Sequence, residues 1–187
     1  YNFTPERVAK ALPAAWEIAS PVDAIDAREK SAVAALRRSG VSDDEASVVA
    51  DLAAKALAGA DVGGRILFAA NQAMVWPHEP LARLWHATTL LREHRGDGHV
   101  AVLTAEGVSG RECNVLHAAA GRVPADMIKR ARDYDDAQWA QHQHALRQRG
   151  LLDGAGELTD AGRDLKRRIE ATTDAVALRL LDALDDS

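Results

Sequence analysis

The segment from Leu81 to Thr104 constrains the fold most strongly, because it holds the densest group of charged and imidazole side chains between two apolar stretches. Apolar residues in its first half recur at intervals of three and four, which predicts an amphipathic helix. Gly96 and Gly98 interrupt this pattern with a residue type that permits turn conformations. The sequence therefore predicts a helix, a charged turn over residues 92–99 and a second helix that starts at His99.

Helix start and stop signals recur along the rest of the chain. Ser42 and Glu45 have the spacing of a capping box, which satisfies two backbone N–H groups at a helix start. Ser20 precedes Pro21, and proline is favoured at the first position of a helix. Gly40 follows two arginines, as expected at a helix end. These signals predict a mainly α fold.

Length and charge narrow the class of protein. A chain of 187 residues is long enough for one large domain or two small ones. The single cysteine, Cys113, excludes an internal disulfide and is compatible with a reducing compartment. No stretch has the length and apolar character of a membrane span, so a soluble cytoplasmic protein with no membrane partner is expected. The net charge of −5 argues against a broadly basic surface that would seek phosphates.

Two motifs in the C-terminal half have a fixed order. Three short helices are predicted from residue 109, and the third ends in RQRGLLD (Arg147 to Asp153); LTDAGRDL (Leu158 to Leu165) then opens a long helix. This order resembles the winged helix-turn-helix of the MarR type, in which the two motifs bracket the wing. The wing here would span only residues 153–157. The resemblance implies a homodimer that forms through the terminal helices.

An internal repeat suggests how the two halves are related. Residues 4–11 align with residues 123–130, and a tryptophan follows each segment within 15 residues. Repeated segments of this kind indicate duplicated structural units. The prediction is therefore a tandem of winged-helix-like, MarR-like repeats. The first, incomplete in this chain, would occupy residues 1–75 with its linking helices, and the second would occupy residues 76–187 with the long C-terminal helix.

A second resemblance covers nearly the whole chain. The segment from Trp76 to Gly121, which contains WPHEPLARLWHATTLLREHRGDGHVAVL, is similar to a family of actinobacterial helix-turn-helix-like proteins. In that family a further segment, with its own histidine and aromatic residues, precedes the point at which this chain starts. The resemblance thus implies a missing N-terminal segment or a partner chain that completes the protein.

The charged segment suggests a ligand site. Arginines can hold an anionic group, and histidines and aspartates can hydrogen-bond, transfer protons or bind a metal. An aromatic and an imidazole side chain just upstream can line a pocket for a planar ligand. The alternative is structural: Asp97 would cap the helix that starts at His99, and the arginines would pair with local acids. The predicted ligand-binding residues are Trp85, His86, Arg92, His94, Arg95, Asp97 and His99.

Three functions are compatible with these patterns. The favoured one is a small-molecule-binding protein on a MarR-like scaffold, with ligand and cofactor unidentified. The first alternative is a ligand-responsive, DNA-binding transcription regulator. Carboxylates at the start of its recognition helix, Asp135 and Asp136, argue against it because they repel phosphates. The second alternative is a metal- or haem-dependent enzyme that uses His94 or His99 as an acid or base. The regulator would contact DNA through His142, His144, Arg147 and Arg149.

Overall fold

A computed structural model describes residues 5–184 and is mainly helical, which confirms the mainly α part of the predicted fold. None of the described helices is long and apolar enough to cross a membrane. An isolated antiparallel bridge between Leu152 and Leu158 encloses residues 153–157, the segment predicted as the wing. The helices are α1 (Pro5–Ala11), α2 (Ala15–Ile18), α3 (Pro21–Arg38), α4 (Asp43–Leu57), α5 (Ile66–Gln72), α6 (Pro80–Ala105), α7 (Gly110–Ala119), α8 (Ala125–Arg132), α9 (Asp136–Gln148) and α10 (Asp160–Leu178), followed by a 3₁₀ helix (Leu181–Leu184).

Local sequence explains where several helices begin. The predicted capping box at the start of α4 is confirmed: the Ser42 hydroxyl accepts from the Glu45 N–H, and the Glu45 carboxylate accepts from the Ser42 N–H. Such caps stabilise a helix by about 1 kcal/mol each. The helices α3, α7 and α9 begin at equivalent boxes, formed by Ser20 with Asp23, Ser109 with Glu112 and Asp135 with Gln138.

The predicted turn at residues 92–99 is wrong, because α6 continues through it without interruption. A glycine inside a helix costs only about 1 kcal/mol relative to alanine, so tertiary contacts easily outweigh it. At Gly98 the missing side chain makes room for a neighbour, since an added Cβ would lie 2.9 Å from Arg65 Nη1. That guanidinium donates to the carbonyl oxygen of His94 at 2.9 Å. Gly98 therefore permits a close approach rather than a turn.

The chain forms two compact units. Within the described residues, the first unit comprises residues 5–11 and 99–173, and the second unit comprises residues 12–98 and 174–184. One boundary follows α1, and the other two fall inside α6 and α10. They differ from the division after residue 75 that the internal repeat predicts, and the repeat-based domain assignment stays a prediction. Residue 4 of that repeat lies outside the described part of the chain.

The first unit has a core of large apolar side chains from the end of α6 and from α7, α8, α9 and α10. Burying one such side chain contributes about 1.5–3 kcal/mol. The ring of Trp139 packs edge-on against Tyr134 at a centroid distance of 5.3 Å. The Tyr134 hydroxyl donates to the Arg111 carbonyl oxygen at 3.1 Å, so its polar end is satisfied. Other members of this core are Val115, Leu116, Ile128, Leu146, Leu151, Leu165 and Ile169.

The second unit buries its apolar side chains less completely than the first unit does. Its apolar cluster contains Phe68 and Leu90, joined by residues of α4 and the C-terminal 3₁₀ helix. The 18-residue helix α3 has no buried residue. Several large apolar side chains of α3, α4 and α5 are exposed, namely Val22, Ile25, Val48, Val49, Leu52, Ile66 and Leu67.

Candidate functional site

The helices α8 and α9 form a helix-turn-helix in the first unit. Residues 133–135 join them, and Asp133 adopts the left-handed conformation (φ 58°) that reverses the chain direction tightly. Asp135 is the N-cap of α9, and its carboxylate accepts from the Gln138 N–H at 2.7 Å. Ile128 of α8 and Trp139 of α9 are buried in the core of the first unit and fix both helices to it.

One side of α9 is exposed and uncharged. Its residues recur at helical spacing and therefore form a single stripe, which we call the α9 stripe. The alanine side chains are small and let another molecule approach the helix closely. Amide and imidazole groups can form hydrogen bonds with the edges of nucleic-acid bases. The α9 stripe consists of Ala137, Ala140, Gln141, His144 and Gln148.

The four residues predicted to contact DNA have different surroundings. Only His144 lies on the α9 stripe. His142 is half-buried, and burial lowers the pKa of its imidazole, with a further contribution from the Arg111 charge. Arg147 donates from Nε to the carbonyl oxygen of Asp153 at 3.0 Å. This hydrogen bond from Arg147 therefore stabilises the turn that follows α9.

Arg149 is also engaged within the first unit. Its Nη1 donates to the Gly107 carbonyl oxygen at 2.9 Å and lies 3.4 Å from Glu112 Oε1. This ion pair helps to lower the pKa of Glu112, whose hydrogen bonds with Ser109 act in the same direction, although burial, the largest influence, opposes both. The arginine thus stabilises the start of α7.

Charge around the helix-turn-helix is balanced rather than basic. Residues 99–173 contain equal numbers of acidic and basic residues, so the negative net charge of the chain belongs to the second unit. Lys129 pairs with Asp136 at 2.8 Å and with Asp126 at 3.7 Å. Among the described residues, Arg130 and Arg132 of α8 form no ion pair. These two arginines are the cations nearest in sequence to the turn that remain available to an external anion.

The structure does not bring the seven predicted ligand-binding residues into one site. Because α6 is continuous, the interval from Trp85 to His99 spans about 21 Å along the helix axis. Arg92 pairs with the adjacent Glu93 at 2.6 Å, and Arg95 pairs with Asp174 at 2.8 Å. Both arginines are exposed and do not converge on a shared anion.

His94 and Asp97 support the neighbouring helix α5. The Asp97 carboxylate accepts from the Phe68 N–H at 2.9 Å, within the first turn of α5. Asp97 therefore caps α5 from a distance, and the alternative prediction that it caps a helix starting at His99 is wrong. The His94 ring packs edge-on against Phe68 at 5.1 Å. Burial is the main cause of the lowered pKa of His94, and its Nδ1 has no hydrogen-bond partner in the described structure.

His99 belongs to the first unit and lies in a buried hydrogen-bonded group. Its Nδ1 is 3.0 Å from Thr173 Oγ1, and that hydroxyl donates to the Ile169 carbonyl oxygen at 2.7 Å. Because the hydroxyl proton is committed, we assign the proton of this contact to His99 Nδ1. Nε2 is then the acceptor that faces the Cys113 thiol at 3.9 Å. This arrangement gives His99 a structural role.

Trp85 and His86 line a cleft in the second unit between α3, α5 and α6. The cleft encloses about 20 Å³. His86 is 7% exposed, and its Nε2 has no hydrogen-bond partner among the described residues. The ring packs edge-on against Trp76 at 4.9 Å. Burial lowers the pKa of His86, and the positive charge of Arg28 lowers it further.

A family model described as a helix-turn-helix family matches residues 1–187. The chain belongs to this helix-turn-helix family. No curated protein and no solved structure matches it. The MarR-type resemblance and the actinobacterial origin stay predictions.

In this member of the helix-turn-helix family, some residues of the α9 stripe and of the cleft beside His86 were not predicted from the sequence. Gln141 and Gln148 follow from helical spacing once His144 is placed on the exposed side of α9, so the sequence contained the signal. Arg28 of α3 and Asn71 of α5 line the cleft beside His86. Their positions depend on tertiary packing between helices, and no local pattern indicates them.

Proposed function

We propose that the chain binds duplex DNA through its helix-turn-helix, with α9 as the recognition helix. The observation that carries this proposal is the α9 stripe, which is exposed, uncharged and furnished with two amides and an imidazole. A glutamine side chain can form two hydrogen bonds with the N6 and N7 positions of adenine. Ala137 and Ala140 allow the helix to approach the groove floor closely.

The charge distribution determines how α9 is expected to dock. Asp133, Asp135 and Asp136 at the start of the helix repel phosphates, so the part of α9 from Ala140 onward is expected to lie deepest in the groove. Arg130 supplies a phosphate contact from the preceding helix. With few such contacts, the logarithm of the binding constant is expected to fall with the logarithm of salt concentration with a slope of only about −2 to −3.

The test is selection of duplex sequences from a random pool by the full chain at low salt, followed by fluorescence anisotropy on the selected sequence. His144→Ala and Gln141→Ala are each expected to remove about 1–3 kcal/mol of discrimination between the selected sequence and a base-substituted one. His78→Ala, an exposed histidine of the second unit, is the matched control and is expected to bind as wild type. Failure to enrich any sequence would overturn the proposal.

A second candidate function is small-molecule binding, and the unpartnered His86 nitrogen supports it. Of the seven residues predicted to bind a ligand, Trp85 and His86 line the same cleft. Together with DNA binding, a ligand site would make the protein a ligand-responsive regulator. The tandem MarR-like repeats and the homodimer stay predictions. The enzyme alternative, which uses His94 or His99, has less support, because each of these histidines is buried and makes structural contacts of its own.

A further inference from the structure

We propose that the cleft between α3, α5 and α6 binds a small organic carboxylate, with Arg28 and His86 holding the carboxylate group. This proposal rests on the second candidate function and gives it a location and a ligand class. It is independent of DNA binding, which concerns the first unit.

The first argument is the buried nitrogen of His86. Buried polar atoms in folded proteins nearly always have a hydrogen-bond partner, so each exception needs an explanation. His86 is 7% exposed, and its Nε2 is without a partner among the described residues. The edge-on contact with Trp76 at 4.9 Å restrains the ring. Because His86 lines the cleft, a group that enters beside its ring can satisfy this nitrogen.

The second argument is the position of Arg28. Its guanidinium carbon lies 5.7 Å from the centroid of the Trp85 ring, and within the described residues it forms no ion pair. Guanidinium groups form strong, directional hydrogen bonds with carboxylates. A carboxylate at this position accepts from Arg28 and from the Nε2–H tautomer of His86. The two donors come from different helices, which defines a site rather than a single surface cation.

The size and charge of the cleft select the ligand class. An enclosed volume of about 20 Å³ accommodates one group little larger than a water molecule. Glu29 also lines the cleft, and its carboxylate opposes a dianion such as phosphate more strongly than a monoanion. A monocarboxylate therefore fits better than a phosphate, while Asn71 and Thr89 offer further polar contacts to its substituents.

The body of the ligand needs more room than the cleft now encloses, and α3 is suited to provide it. The helix has no buried residue. An exposed ion pair between Arg37 and Glu79, 2.6 Å apart, ties its C-terminal end to the residues before α6. Exposed ion pairs contribute little to stability, so this contact offers little resistance to a shift of α3. Trp85 and Met74 then offer an apolar surface to the ligand.

The test is isothermal titration calorimetry of the full chain with benzoate as the probe and benzamide as its uncharged counterpart. Benzoate is expected to bind at least tenfold more tightly than benzamide. Arg28→Gln is expected to weaken benzoate binding at least tenfold, since it removes the charge and its hydrogen bonds. Arg38→Gln changes an exposed arginine at the end of the same helix, outside the cleft, and is expected to have no effect.

A second variant separates binding from folding. His86→Phe keeps the ring and its contact with Trp76, and it removes the unpartnered nitrogen, so the melting temperature is expected not to fall while benzoate binding is lost. Equal binding of benzoate by wild type, Arg28→Gln and His86→Phe would overturn the proposal. So would equal affinity for benzamide, tighter binding of inorganic phosphate, or no benzoate binding up to its solubility limit.

A thermal-shift panel of uncharged, cationic and anionic small molecules distinguishes this proposal from the broader function. If a molecule of another class stabilises the protein equally in wild type and Arg28→Gln, the cleft proposal fails while small-molecule binding stands. If no molecule in the panel shifts the melting temperature, both fail. Neither result affects the test of DNA binding, which uses His144 and Gln141 in the first unit.

Discussion

The buried histidines of the two units differ in the number of partners that their ring nitrogens have. In the first unit, His99 is 7% exposed and has Thr173 and Cys113 beside its two ring nitrogens. In the second unit, His86 and His94 are as deeply buried, at 7% and 4%, yet each has one ring nitrogen without a partner among the described residues. An unpartnered buried polar group costs about 1–3 kcal/mol. The fold thus supplies partners for both ring nitrogens of the buried histidine in the first unit. It leaves one ring nitrogen of each buried histidine in the second unit without a partner among the described residues.

The apolar core of the first unit is also more completely buried than that of the second unit. The first unit closes around large side chains from five helices, whereas the second unit leaves α3 without a buried residue and exposes apolar side chains such as Leu52 and Ile66. Regions with few buried apolar contacts open at lower free energy than the rest of a protein. We therefore expect the helix-turn-helix to be held more firmly than the helices around the cleft.

The largest expected effect concerns the close packing of the first unit. In Gly162→Ala, the added Cβ would lie 2.2 Å from the carbonyl oxygen of Leu151, and two backbone segments would have to separate. We expect the free energy of unfolding to fall by about 3 kcal/mol or more. Chemical denaturation followed by circular dichroism measures it. Gly154→Ala is the control, because nothing lies within 4 Å of its added Cβ. Similar values for the two variants would contradict the tight packing of this unit.

Gly162 lies in the motif LTDAGRDL, and motifs of this local kind could be interpreted from the sequence alone. The motif LTDAGRDL and the capping box of Ser42 and Glu45 are local, because the groups that interact lie within a few residues of one another. Helix identity and the order of helices around the helix-turn-helix followed from such signals. Trp85 and His86 were predicted to lie together for the same reason, since the two residues are adjacent in the chain, and they line one cleft.

The errors concern interactions between residues distant in sequence. The turn predicted at Gly96 and Gly98 does not form, and Arg65, the residue before α5, occupies the space that Gly98 leaves open. Asp97 caps α5 rather than its own helix. Arg28 approaches Trp85 only when α3 packs beside α6. Glycine content and charge density mark such positions as unusual, but the partner that explains each one is set by tertiary packing.

The second prediction compares the two kinds of buried histidine directly. His99→Phe removes the hydrogen bond to Thr173 and is expected to lower the free energy of unfolding by about 1–3 kcal/mol. His86→Phe removes no hydrogen bond at the unpartnered Nε2 and is expected to leave stability unchanged or raised. Urea denaturation of both variants at pH 7.5 measures the difference. Equal losses would mean that His86 is as well satisfied as His99.

The pH dependence of His86→Phe sharpens this comparison. Burial lowers the pKa of His86 in the folded protein below its ordinary value of 6.5, so the unfolded chain takes up a proton more readily. Stability due to this group is present above about pH 6.5 and is lost as the pH falls below it. The variant lacks the effect, and its stability relative to wild type should therefore increase between pH 7.5 and pH 5.5. A difference that stays constant over this range would contradict the lowered pKa.

The smallest expected effect tests whether α6 is continuous at Gly96. In Gly96→Ala the nearest atom to the added Cβ is Glu93 Oε2 at 3.8 Å, an ordinary contact, so only the helix propensity changes. The free energy of unfolding is expected to rise by about 0.5–1 kcal/mol. Gly98→Ala gains the same propensity but places its Cβ 2.9 Å from Arg65 Nη1, and the net result should be a loss. If Gly96→Ala were destabilising instead, residue 96 would have to adopt a backbone that alanine disfavours, and the charged turn would again be the better description of this segment.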